Sequence, residues 1–169
     1  MVKSFVTAIL ILLAVALCES AILSNISFLP AVPDLLLICA IYFSIINGRT
    51  YGVILGFFSG LILDYVSGCP FGLNCLLRTV LGYSAGFLSG TINYKGIVMP
   101  MLIGLVGSVV KVFFTWIISL FYPNYVLNYS VFSFIFLTEL ILNVIFTPVI
   151  FKLLGCFNKS ICFNYGEID

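Results

Sequence analysis

The sequence predicts an all-α integral membrane protein, a single domain over residues 1–169 built as a six-transmembrane-helix bundle. Three observations predict it. Hydrophobic residues make up 63% of the chain and charged residues 8%, with a mean hydropathy of +1.28. A soluble domain carries about 25% charged residues, and a chain this short has too much surface for its volume to hide so many apolar side chains from water. The apolar residues also fall into runs close to the ~20 residues that span the hydrocarbon of a bilayer. Finally, the breaks between the runs carry turn-forming residues.

The first helix is expected at 5–23. Lys3 ahead of an apolar core also fits a signal peptide, but the run is long for one. Leu17 stands where a lipoprotein needs a small residue ahead of Cys18, so a retained helix is expected. Ser24-Asn25 ends it. The next run starts at Phe28, but Pro30 and Pro33 interrupt it, so a short helix is expected at 34–46 behind a non-helical stretch. Asn47-Gly48-Arg49 turns the chain into a third helix at 51–66, and Ser67-Gly68-Cys69-Pro70 into a fourth at 73–92. Asn93-Tyr94-Lys95-Gly96 precedes a fifth at 97–121, and Tyr122-Pro123-Asn124 a sixth at 131–154. The remainder, 155–169, is a short tail.

Composition excludes several functions. With no histidine, His-based acid–base chemistry and His metal sites are absent. No CxxC pair exists, so zinc-ribbon and dithiol redox readings fail, and no metal or other cofactor is expected. Cys69 and Cys75 flank one loop and can bridge if that loop faces an oxidising compartment; free thiols are the alternative. A net charge of +1 without a basic cluster leaves nothing to hold nucleic acid.

Charge in the loops gives an orientation. Lys3, Arg49, Lys95, Lys152 and Lys159 all fall on one side of a six-helix layout, which places both termini in the cytoplasm. The other side carries Tyr122, Tyr125 and Tyr129, suited to an interfacial aromatic belt.

Six ionisable residues remain inside the runs: Glu19, Asp34, Asp64, Arg78, Lys111 and Glu139. Each costs about 2.5–3.5 kcal/mol at a helix centre, so each needs a partner or a polar cavity. Counting the rise along each helix puts all six roughly 20–24 Å from the cytoplasmic ends, in one layer. Four acids against two bases leave an acidic excess. The layer reads either as a structural ion network or as a pocket open to the outer face.

Glycines suggest how part of it assembles. Gly52, Gly56 and Gly60 recur every four residues and lead to Asp64, while Arg78 leads to Gly82, Gly86 and Gly90. Small residues at this spacing let membrane helices approach closely. A turn symmetric about Phe71 pairs Gly52 with Gly90, Gly56 with Gly86 and Gly60 with Gly82, and delivers Asp64 to Arg78. Lys111, one turn beyond Gly107 and near Gly104 and Ser108, is left with Glu139, Glu19 or Asp34 as partners.

Four segments carry a family resemblance. They are Pro33-Asp34-Leu35-Leu36, Gly56-Phe57-Phe58-Ser59-Gly60-Leu61-Ile62-Leu63-Asp64, Pro70-Phe71-Gly72-Leu73-Asn74 and Gly82-Tyr83-Ser84-Ala85-Gly86. In this order and spacing the chain resembles the bacterial rod shape-determining protein MreD family. The motifs lie between Pro33 and Gly86, with Pro33, Asp34, Gly72 and Asn74 as motif residues; beyond Ile97 the likeness is one of hydropathy. The resemblance implies a noncatalytic subunit of the cell-elongation, peptidoglycan-synthesising machinery in the cytoplasmic (inner) membrane. Its implied partners are MreC, the RodA and class B penicillin-binding protein pair, the MreB filament indirectly, and membrane lipid. It further implies a fold similar to the substrate-binding components of energy-coupling-factor transporters.

That kinship supplies the alternative, a vitamin-type binding subunit. Such components dock through an Ala-xxx-Ala face on the first helix, and here the matching stripe of Ser4, Ala8, Ala16 and Ser20 is interrupted by Leu12. A proton or ion carrier is a third class, but no repeat of the kind such carriers use is present. The echo of Gly56–Gly60 in Gly86–Gly90 is explained by packing. Intramembrane aspartyl proteolysis by Asp34 and Asp64 lacks the motifs of lipoprotein signal peptidases.

Overall fold

The computed structural model describes residues 2–21, 31–67, 71–91, 96–121 and 134–162. They form five long helices and one short one: α1 (Val2–Ala21), α2 (Leu35–Ser67), α3 (Leu73–Gly86), α4 (Val98–Phe121), α5 (Phe134–Cys156) and α6 (Asn158–Ile161). Four of them, α1, α2, α4 and α5, are long and apolar enough to cross a membrane. The Tyr122, Tyr125 and Tyr129 belt, Lys95, Cys69 and the end of the tail lie outside the described residues.

α2 sits where two helices are expected, at 34–46 and 51–66. It is interrupted at Gly48, whose φ of 82° and ψ of −175° belong to no helix and suit only glycine. The chain turns back there. A Cβ built on Gly52 would stand 2.9 Å from Ser44 Oγ, although eight residues of straight helix rise about 12 Å. The first arm is the centre of the bundle, and every residue from Leu36 to Ile45 is buried. A helix apolar all round is a buried one. α1 supports it with one face, Ala8, Leu12 and Ala16, and turns Val6, Leu10 and Leu17 outward.

α3 packs chiefly along the second arm of α2. The glycine faces do meet, in a register different from the one expected. A Cβ on Gly52 would strike the Gly82 carbonyl, one on Gly56 the Arg78 carbonyl, one on Gly60 the Cα of Cys75, and one on Gly86 the Cα of Arg49 at 2.6 Å. Gly90 makes no close approach among the described residues; it occupies a turn with φ 74°. The expected symmetry about Phe71 fails because α3 starts level with Asp64, for a reason that lies in the side chain of Asp64. α3 also ends sooner than the expected 73–92. Beyond Gly86 the chain continues to Thr91 in tighter turns, with Phe87, Leu88 and Ser89 each donating to the carbonyl three residues back.

α4 and α5 pack on each other at Gly104, where a Cβ would meet the Thr147 side chain. The tail adds an element not expected from sequence. α6 packs against α1 and buries Ile161 completely, while Tyr42 donates its hydroxyl to Asn158 Oδ1 at 3.1 Å.

Candidate functional site

Pro33 and Asp34 immediately precede the first helical residue of α2, Leu35. Asp34 is the N-cap: its Oδ1 accepts the Leu37 N–H at 2.9 Å, the bond an aspartate makes when it satisfies a donor that a first helical turn leaves open. The same carboxylate anchors two cations. Arg78 Nη2 of α3 lies 2.6 Å from Oδ1, and Lys111 Nζ of α4 lies 2.6 Å from Oδ2. Lys111 continues to Glu139 Oε1 of α5, also at 2.6 Å. Arg78, Asp34, Lys111 and Glu139 thus form a continuous chain, two positive and two negative, that ties α3, α2, α4 and α5 together. Its members are well shielded: Arg78 is 1% exposed, Asp34 3% and Glu139 8%.

Neutral polar side chains complete the cluster. The backbone N–H of Asp34 donates to Asn143 Oδ1 at 2.8 Å, and Asn143 Nδ2 donates to Ser108 Oγ at 3.0 Å. Ser108 in turn donates to the Gly104 carbonyl and Thr147 to the Asn143 carbonyl. Sequence reasoning passed over Asn143 and Thr147. Their signal is the spacing Glu139, Asn143, Thr147, which puts three polar groups on one face of an otherwise apolar helix.

Asp64 is not the partner of Arg78, contrary to the sequence expectation. It is 1% exposed and binds the start of α3. Its Oδ2 accepts the N–H groups of Gly72 at 2.9 Å and Cys75 at 3.3 Å; its Oδ1 accepts the N–H of Asn74 at 3.1 Å and the Asn74 side-chain amide at 2.9 Å. The reason is local. The α3 N-cap is Gly72, with φ 100°, and glycine has no side chain to satisfy the open N–H groups that follow it. Asp64 supplies the missing cap from the neighbouring helix, and the partial positive charge of a helix N-terminus favours its carboxylate there. This draws Gly72 to Cys75 level with Asp64. Arg78 consequently lies beside Gly56, about 12 Å of helix rise from Asp64. Cys75 is a free thiol, with Sγ 3.6 Å from the Phe57 carbonyl oxygen.

Glu19 borders the chain of charges without joining it: its Oε2 accepts the Leu36 N–H in the first turn of α2 at 3.2 Å. Two of the four acids are therefore held by helix N-termini, and the rest of the cluster is neutral. The α3 N-terminus answers Asp64 with three backbone N–H groups, whereas Glu19 has one, so the excess that residue counting sees remains at Glu19. Lys111 pairs with two of its three candidate partners, Asp34 and Glu139. No group of three or more Cys, Asp or Glu side chains able to hold a metal occurs among the described residues. The arrangement fixes four helices at one point by contacts whose loss leaves a buried charge.

No curated protein and no solved structure matches the chain. Its residues 1–157 match the family model described as rod shape-determining protein MreD, and on that match the chain, a multi-pass membrane protein with a buried ionic junction, belongs to the MreD family.

Proposed function

We propose that the chain is a noncatalytic subunit of the bacterial cell-elongation machinery, acting by binding MreC and neighbouring membrane proteins. One observation supports this most. The charged side chains of the core hold helices to each other, and the bundle offers its surroundings apolar faces of α1, α4 and α5. Leu137, Ile141, Ile145, Val149 and Leu153 recur every four residues on α5, each more than half exposed. Such faces suit lipid and partner helices rather than a reacting substrate. The bundle sits in the cytoplasmic membrane with six crossings, two of them the arms of α2, and both termini in the cytoplasm. RodA and a class B penicillin-binding protein are its further neighbours, and the MreB filament an indirect one.

The vitamin-transporter reading loses support at α1. The Ala8, Leu12 and Ala16 face that would dock to a coupling protein is buried inside this bundle. Co-purification from detergent-solubilised membranes tests the proposal. Recovery of MreC with the tagged chain is the expected result; recovery of a membrane coupling protein with its ATPases would replace this reading by the transporter one.

A further inference from the structure

Glu19 is the carboxylate of the core that makes no direct ion pair, although Arg78 and Lys111 lie close enough to act on it through space. It forms no ion pair among the described residues, and its one hydrogen bond is the neutral Leu36 N–H. Arg78 and Lys111 are engaged by Asp34 and Glu139. Arg78 Nη1 is buried without a partner, and Glu19 makes no hydrogen bond to it. Among the described residues, Lys3, Arg49 and Lys152 belong to the opposite ends of the helices. Glu19, Asp34 and Glu139 against Arg78 and Lys111 leave one negative charge in excess around this carboxylate.

Glu19 also lines an open crevice of about 290 Å³ between α1 and the far end of α2. Ser20 and Ser67 sit at it with their hydroxyls, and Val32, Leu63 and Val66 give it apolar walls. A carboxylate in the lining of an open, largely apolar cleft matches a long basic side chain. The methylene stem of Lys or Arg lies along apolar walls while its charged head reaches a polar partner. A zwitterionic lipid amine fits less well, because its phosphate brings a second negative charge to a crevice lined by no cation.

We propose that Glu19 is the docking point for one Lys or Arg side chain on the membrane-spanning helix of a partner protein, which seats against α1 and α2. This rests on the functional reading above, in that it names where and by what chemistry a partner binds.

The test uses the full chain co-expressed with MreC of the same bacterium and purified from membranes through a tag on the chain. Glu19→Gln keeps an acceptor for Leu36 and removes the charge, so the protein should accumulate and elute as the unaltered chain does. The recovered MreC should fall about tenfold, and further with Glu19→Lys, as expected when one side of a shielded charge pair is removed. Reversing the responsible basic residue in the MreC span to Glu should restore recovery with Glu19→Lys. Undiminished MreC recovery with both Glu19 variants would overturn the proposal. So would native mass spectrometry showing that Glu19→Gln releases an ethanolamine lipid while MreC stays bound. If the unaltered chain itself recovers no MreC, it is the functional reading that fails.

Discussion

Replacing Asp64 by alanine removes the acceptor of three backbone N–H groups, those of Gly72, Asn74 and Cys75, and of the Asn74 side chain. Gly72 cannot take over, having no side chain. A donor left unsatisfied in a buried place costs about 1–3 kcal/mol. Cys75 is buried, whereas Gly72 is exposed and Asn74 half-buried, so water can answer part of the loss. The sum for Asp64→Ala then comes to about 2–4 kcal/mol, of which the helix-terminal charge effect is up to about 2 kcal/mol. Asp64→Asn keeps one oxygen and loses the charge, and should cost roughly half as much. Thermal unfolding of the purified protein in detergent should rank the unaltered chain above Asp64→Asn and that above Asp64→Ala. Hydrogen exchange should locate the effect, with the amides of Asn74 and Cys75 exchanging at least tenfold faster in Asp64→Ala, as about 1.4 kcal/mol of lost local stability requires. Unchanged exchange at these amides would refute the capping role, whatever happened to the melting temperature.

Gly56→Leu should strongly reduce accumulation in the membrane, because its Cβ meets the backbone of Arg78 and Thr79, which cannot yield as a side chain can. Gly90→Ala, by contrast, should cost only about 1–2 kcal/mol of backbone strain from its positive φ and leave the α2–α3 contact intact; immunoblots of membrane fractions compare the two. Asn143→Leu strands the Asp34 N–H and should cost about 1–3 kcal/mol in the same unfolding assay. An impermeant thiol reagent should label the exposed Cys156 only after cells are permeabilised, and labelling of intact cells would reverse the proposed orientation.

Hydropathy made the ends of α1, α4 and α5 legible to within a few residues, because chain that crosses lipid must be apolar over its whole length. The same uniformity hid which faces are inward. The apolar residues of Leu36 to Ile45 are the core, whereas Leu137, Ile141, Ile145, Val149 and Leu153 are outer surface, and hydropathy alone does not tell the two sets apart. In lipid, apolar character no longer separates inside from outside. The glycine stripes identified the contact of α2 with α3, since a missing side chain is visible in sequence. Their register was not legible, because it is set by where α3 begins, and that depends on the bonds between Asp64 and the Gly72–Cys75 backbone. The residues of the ionic junction were legible from their cost in a membrane, whereas their pairing required knowing that Asp34 opens a helix between α3, α4 and α5.

Arg78 is held by Asp34, and Asp64 instead caps the start of α3. Two double-mutant cycles on unfolding free energy in detergent test both points together, one pairing Asp34→Ala with Arg78→Ala and the other Asp64→Ala with Arg78→Ala. The structure predicts a coupling of about 1–3 kcal/mol in the first and additivity within about 0.5 kcal/mol in the second, as for residues in contact and residues well apart. The charge swap Asp64→Arg with Arg78→Asp should correspondingly rescue nothing. Strong coupling of Arg78 to Asp64, with none to Asp34, would contradict the account.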